Sequence, residues 1–155
     1  MRRAGWALPL LLAACGGGGA DEGAAEEATV PVTIRTANGA RPFTVEVADT
    51  AAEQAQGLMF RTDLQPNGGM LFAPYPPDGG PPREASFWMR NTPSALDIIF
   101  IRADRTIARI AENTVPNSEA PIPSGEPVAA VLEIPGGRAA ELGIAEGDQV
   151  SWPKR

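Results

Sequence analysis

The chain has 155 residues, with 13 Lys and Arg against 19 Asp and Glu, no His and a single Cys. A net charge of −6 makes nucleic acid and anionic lipid headgroups poor partners. The absence of imidazole excludes Ser-His-Asp and Cys-His nucleophile systems, two-His zinc sites and c-type haem attachment.

The first element is a targeting segment. Arg2 and Arg3 give a positive start, an apolar run follows from Trp6 to Leu12, and Leu12-Ala13-Ala14-Cys15 closes it. The run is too short to span a bilayer and reads as a secretory signal over residues 1–14. The closing tetrapeptide resembles a bacterial lipobox, which implies lipidation of Cys15 and anchoring on the periplasmic side of the cell envelope, with Gly16 favouring the outer membrane. The alternative is an ordinary signal with an incidental cysteine. Residues 15–29 then read as the lipidated Cys followed by a flexible tether: Gly16 to Thr29 is GGGGADEGAAEEAT, without an aromatic or branched aliphatic residue, so it has nothing to bury. Residues 30–155 are expected to form one globular domain.

Within that domain Val32 and Ile34, then Phe43, Val45 and Val47, alternate with polar residues on either side of Asn38-Gly39, a hairpin signal. Thr50-Ala51-Ala52-Glu53 has capping-box spacing and predicts a helix of about ten residues with Ala55, Leu58 and Met59 on one side. Short apolar runs at Met70 to Ala73, Ser86 to Arg90, Leu96 to Ala103, Thr106 to Ala111, Val128 to Ile134 and Gln149 to Trp152 read as strands. Arg138 to Leu142 suits one helical turn before Gly143. Pro74 to Ala85 and Asn113 to Pro127 are rich in proline and read as long loops, serving either as lids or as covers for sheet edges. The fold class expected is mainly β, a single barrel-like or rolled sheet, antiparallel or mixed, with one main helix.

The stretches Glu53 to Arg61, Gly69 to Phe72, Phe87 to Thr92, Leu96 to Ile101 and Val131 to Gly137, with Gly143-Ile144 and Gly147-Asp148, follow one another in the order seen in the family called domain of unknown function 192. The chain resembles that family over Val32 to Trp152. The resemblance implies a compact β-rich domain, frequently behind a signal or membrane anchor, without established activity or catalytic residues. Gln54, Ala95 and Ala130 stand where the family usually has Arg, Pro and an aromatic residue.

Candidate chemistry must come from residue type. The single lysine, Lys154, is next to the C-terminus, which disfavours Schiff-base and Ser-Lys mechanisms. Asp97 and Glu133 lie in strongly apolar strands, where ionised carboxylates are rare unless paired. Facing one cleft they would form a glycosidase-like acid and base; otherwise Asp97 pairs with Arg90 or caps a turn, and Glu133 accepts hydrogen bonds. On a strand, Trp88, Arg90 and Thr92 share one face and Phe87, Met89 and Asn91 the other. An indole beside a guanidinium suits stacking on a planar or sugar-like ligand and gripping an anion. Arg61, Trp88, Arg90 and Asn91 are the candidate ligand-binding residues; Arg61 could instead complement a helix C-terminus and Trp88 act as a core residue. Met59, Met70 and Met89 could bind Cu(I) in an oxidising compartment, or fill the core. No residue set calls for a cofactor. Three functions remain: a lipid-anchored binding module for a small ligand or envelope polymer, an assembly factor for another envelope protein, and a carboxylate-dependent hydrolase.

Overall fold

A computed structural model describes residues 28–154. The signal, Cys15 and nearly all of the tether expected before the domain lie outside the described residues. The hairpin forms as the alternation predicts: β1 (Thr29–Thr36) pairs antiparallel with β2 (Gly39–Ala48), and its loop is Ala37-Asn38, with Gly39 at φ 110°. Val32, Ile34, Phe43 and Val45 from this hairpin are all buried in one cluster. The capping box also forms. Glu53 N–H donates to Thr50 Oγ1 while Glu53 Oε2 accepts from Thr50 N–H, opening α1 (Ala51–Gln56).

That helix has six residues, not ten. Gly57 ends it in a conformation that favours glycine (φ 49°), and a Cβ there would stand 3.2 Å from the Phe72 ring, so the chain leaves the helix where the core comes closest. Leu58 is buried beyond the helix end rather than on its face.

Six further strands follow the runs read from sequence, within a few residues: β3 (Met70–Phe72), β4 (Arg83–Phe87), β5 (Leu96–Ile101), β6 (Ile107–Ala111), β8 (Ala130–Pro135) and β9 (Gln149–Ser151). The helical turn α2 (Arg138–Leu142) lies between β8 and β9. The strand missed by sequence is β7 (Ile122–Val128), inside the second proline-rich stretch, where Pro123 and Pro127 argued for a loop. Its partner is β4 in a separate two-stranded ribbon, and a strand at a sheet edge tolerates proline because one of its sides needs no donors.

The main sheet runs β6-β5-β8-β3-β2-β1-β9. Its two ends meet through a Thr106–Gln149 bridge and through Val150 N–H donating to Arg105 O at 2.8 Å, so the sheet rolls into a nearly closed barrel. β2 and β3 pair in parallel; α1 and the loop after it make the crossover. The barrel interior is filled by Val32, Ile34, Phe43, Leu132 and their neighbours, and α2 closes one end with Ala139. A second core lies outside the barrel, where Phe72, Ile98, Phe100 and Val131 on the outer face of β3, β5 and β8 are covered by Ala85 and Val128 of the ribbon and by Leu58. The proline-rich stretches thus build part of a covering layer.

Gly69 shows how closely the strands approach. It has φ 147°, and a Cβ there would fall 2.0 Å from the carbonyl oxygen of Glu133, so no side chain fits beside this point of β8.

Candidate functional site

The covering layer does not seal the outer face. Between α1, the chain after β4 and the outer face of β3 and β8 lies a cavity of about 380 Å³. That volume is at the small end of the range for ligand pockets, roughly 300–1,000 Å³. Leu58, Phe72, Tyr75 and Phe87 supply apolar walls, Gln54, Thr92 and Glu133 polar ones, and Trp88 and Arg90 also line it.

Glu133 reaches this cavity because of strand register. It sits opposite Met70 of β3 and Ile98 of β5, both of which face the outer core, so its side chain points out of the barrel into the covered layer. It is 4% exposed. Among the described residues no cation or hydrogen-bond donor offsets its burial, which pushes its pKa up to about 8, so the neutral acid predominates at pH 7.

Gln54 is placed by the start of α1. Its Nε2 donates to Ala48 O at 3.0 Å and to Pro74 O at 2.8 Å, tying the helix to the ends of β2 and β3. Both amide protons are used, which fixes the orientation of the amide; its Oε1 is buried without a partner.

Trp88 and Arg90 come together, but not by strand alternation. β4 ends at Phe87, and Met89 to Thr92 form a turn in which Thr92 N–H donates to Met89 O at 3.0 Å. Met89 plugs into the outer core, leaving Trp88 and Arg90 on either side of it. The Arg90 guanidinium lies 5.4 Å from the centre of the Trp88 ring, close enough for a cation–π contact. Both are about half exposed, and the carboxylate nearest Arg90, Glu119, is 3.7 Å away. Thr92 is buried, with its hydroxyl donating to Arg90 O at 3.1 Å.

The remaining candidates lie elsewhere. Asn91 is exposed in the left-handed region (φ 53°), and its carbonyl accepts the Phe60 N–H at 2.7 Å, so it joins two loops without lining the cavity. Arg61 does not join Trp88 and Arg90: its guanidinium makes two 2.9 Å hydrogen bonds to Glu46 and one of 2.8 Å to Asp63, and these raise its pKa further above the ordinary arginine value. Met70 and Met89 are packed in the outer core, while Met59 borders the cavity. No cluster of three or more His, Cys, Asp or Glu suited to a metal ion occurs among the described residues.

Asp97 and Glu133 do not share a cleft. Asp97 pairs with Ile134, one position along from the Ile98–Glu133 pair, and adjacent residues of a strand point to opposite faces. Asp97 therefore points toward the barrel interior and Glu133 outward. Instead of pairing with Arg90, the Asp97 carboxylate accepts the backbone N–H groups of Asn113, Gly137 and Ala139 at 2.7, 2.9 and 2.7 Å. It holds the start of α2, in keeping with the alternative in which Asp97 caps a turn, and the two carboxylates are not arranged as a glycosidase-like acid and base. Thr92 shares the cavity with Trp88 and Arg90, as expected from sequence, whereas Gln54 and Tyr75 were not read from sequence as site residues. Gln54 stood out there as a departure from the family pattern, and of the two carbonyls that fix it one, Pro74 O, comes from beyond β3, twenty positions on.

A second concavity, of about 520 Å³, opens near the C-terminal strand beside Val30, Leu71 and Trp152. It is the larger, yet its guanidinium is committed: Arg105 stacks 3.5 Å from the Trp152 ring centre and donates to Trp152 O at 3.2 Å. The cavity at Glu133 is the stronger candidate because it holds a buried acid with no partner.

The family model DUF192, described as uncharacterized ACR, matches residues 32–152. A Novosphingobium aromaticivorans DSM 12444 protein of unknown function has a similar crystal structure, with 52% identity and a TM-score of 0.75 over 80% of this chain and 85% of that one. A candidate transcription regulator of Sinorhizobium meliloti 1021 is 42% identical, with a TM-score of 0.76 over 84% of this chain and 98% of that one. No curated protein matches the chain.

Proposed function

The chain belongs to the uncharacterised DUF192 family, and for this member we propose a non-catalytic binding module, held to the bacterial envelope through Cys15, that takes a small ligand or the end of an envelope polymer in the cavity between α1 and the outer face of the barrel. The observation that carries this reading is the cavity itself, which combines apolar walls with a buried, unpartnered Glu133 and with Trp88 and Arg90 half exposed beside it. A few polar groups set among aromatic and aliphatic walls is the usual make-up of a ligand pocket. The role put forward for the Sinorhizobium protein is not carried over, because acidic residues outnumber basic ones in this chain.

Thermal unfolding of the full chain against cell-wall fragments, sugars, nucleotides and amino acids tests the reading. A ligand at a hundred times its dissociation constant adds about 2.7 kcal/mol, a rise of several degrees for a domain of this size. Because Trp88 and Arg90 are half exposed, Trp88→Ala and Arg90→Ala are expected to leave the unliganded midpoint within about 2 °C, in line with the small effects of surface substitutions, and to abolish the ligand-induced rise. A rise that survives both changes sinks the cavity as the site. No rise with any compound shifts the weight to the assembly-factor reading, which Phe60 and Val115 favour, being 72% and 70% exposed.

The anchor has its own test. Cys15→Ser is expected to move the protein from the membrane fraction to the soluble one with its unfolding midpoint unchanged, since the acyl chains supply the affinity at about 0.8 kcal/mol per buried CH₂. Unchanged membrane fractionation refutes lipid attachment at this residue.

A further inference from the structure

The polar groups on the cavity wall with fixed roles are acceptors. Gln54 Nε2 spends both protons on Ala48 O and Pro74 O, so the amide cannot turn to present a donor, and its Oε1 is left buried without one. Thr92 spends its hydroxyl proton on Arg90 O, leaving lone pairs. Glu133, 4% exposed, has two carboxyl oxygens and, among the described residues, no donor directed at them. A carboxylate or phosphate pushed to this depth would meet the Gln54 and Thr92 acceptors and, while Glu133 is neutral, its single O–H, with no cation beside it. The positive charge is at the mouth, on Arg90, which is half exposed and only loosely engaged by Glu119, while the Ser86 and Tyr75 hydroxyls and the Trp88 indole N–H are neutral donors on the same wall.

Resting on the binding-module reading, we propose that the cavity takes a small zwitterionic molecule, with an N–H-rich cationic head, a primary ammonium or guanidinium, held at depth by Glu133 and the Gln54 amide oxygen, and an anionic end against Arg90 beside Trp88. An ammonium carries three donors and a guanidinium five, enough to serve the Glu133 oxygens and Gln54 Oε1 together. The head also brings the charge that Glu133 lacks. Burial alone favours the neutral acid; an adjacent cation favours the carboxylate, so binding releases the Glu133 proton. The other titratable or charged groups around Glu133 are Tyr75 and Arg90 on the cavity wall, Glu46 across Met70 in the same row of the sheet, held by Arg61, and Glu53, taken up by the capping box of α1. Met70 and Ile98 flank it on β3 and β5 with apolar side chains.

Isothermal titration of the full chain with straight-chain ω-amino acids of three to six carbons and with 4-guanidinobutyrate tests this, with pentanoate and glucose as comparisons. At least one of the zwitterions is expected to bind in a Trp88-dependent manner while pentanoate and glucose do not. Its affinity is expected to rise about tenfold from pH 7 to pH 9, following ionisation of Glu133, with proton release at pH 7 seen as a heat that depends on the buffer. In Glu133→Gln the pH dependence and the proton release disappear. Should that variant fail to fold, the pH profile of the parent protein decides alone. Trp88-dependent binding of glucose or pentanoate without binding of any zwitterion overturns the cationic head and leaves the cavity reading standing. So does zwitterion binding that is flat in pH and releases no proton. No Trp88-dependent binding by any compound removes both.

Discussion

Asp97→Ala is expected to destabilise the domain by about 4 kcal/mol or more, much of the 5–15 kcal/mol that a domain typically has. The side chain is fully buried, and its carboxylate is the acceptor for three backbone N–H groups, those of Asn113, Gly137 and Ala139. Removing it leaves three donors facing a cavity, and each buried unsatisfied donor costs roughly 1–3 kcal/mol, less what entering water recovers. The residues involved explain why the loss is not local. Gly137 is the N-cap of α2 and has no side chain, so Asp97, forty positions earlier, takes the part of the capping residue for the helix that closes the barrel. The same carboxylate ties down the chain that leaves β6 at Asn113. Asp97→Asn is expected to lose less, about 2 kcal/mol, because one oxygen still accepts while the new amide confronts an N–H. Urea unfolding of the three proteins checks the order. A loss below about 1 kcal/mol for Asp97→Ala shows that the three amides find other partners.

Asp97 also marks the boundary of what the sequence discloses. Its presence in a strand of six buried residues announced a carboxylate with work to do, and so did Glu133 in another. Whether the two work together depends on one position of register. Ile98 opposite Glu133 places Asp97 opposite Ile134, and a slip of a single residue would exchange the faces. Register is set by pairing across the sheet, and nothing in either segment alone records it. The β1–β2 hairpin and the capping box were legible because their signals are local, a two-residue period and a three-residue spacing. The end of α1 was not, since Gly57 stops it where the Phe72 ring approaches, fifteen positions on in the packed core. β7 was hidden by its prolines, which an edge strand admits and a central strand does not. Trp88 and Arg90 meet at the cavity, as their residue types suggested, yet through a turn rather than an alternating strand. Arg61 had an equal claim by type, but Glu46 and Asp63 take up its guanidinium.

Glu133→Gln is expected to act in the opposite direction from the Asp97 changes and to stabilise the protein, increasingly so as pH rises. The folded-state pKa of Glu133 is about 8, against 4.5 for the free side chain, and burial is the cause. Between those two values the unfolded chain gives up the proton while the folded chain keeps it, so the folded state binds more protons and stability falls as pH rises through this window, levelling off above about pH 8. At about 1.4 kcal/mol per pKa unit the full loss has an upper limit of about 5 kcal/mol, reduced by any water that reaches the cavity. Gln has nearly the same shape and no proton to lose. The variant is therefore expected to match the parent near pH 4 and to exceed it by about 3–5 kcal/mol at pH 9, measured by urea unfolding at both values. A parent stability that is flat from pH 5 to pH 9 shows that Glu133 is solvated or paired and not held neutral. A substitution that strengthens the fold while removing a group from the cavity has a functional meaning, because proteins keep strained or desolvated groups mainly where activity needs them. Greater stability at pH 9 together with loss of pH-dependent ligand binding in the same variant would identify the Glu133 carboxyl as a group retained for recognition at the expense of the fold.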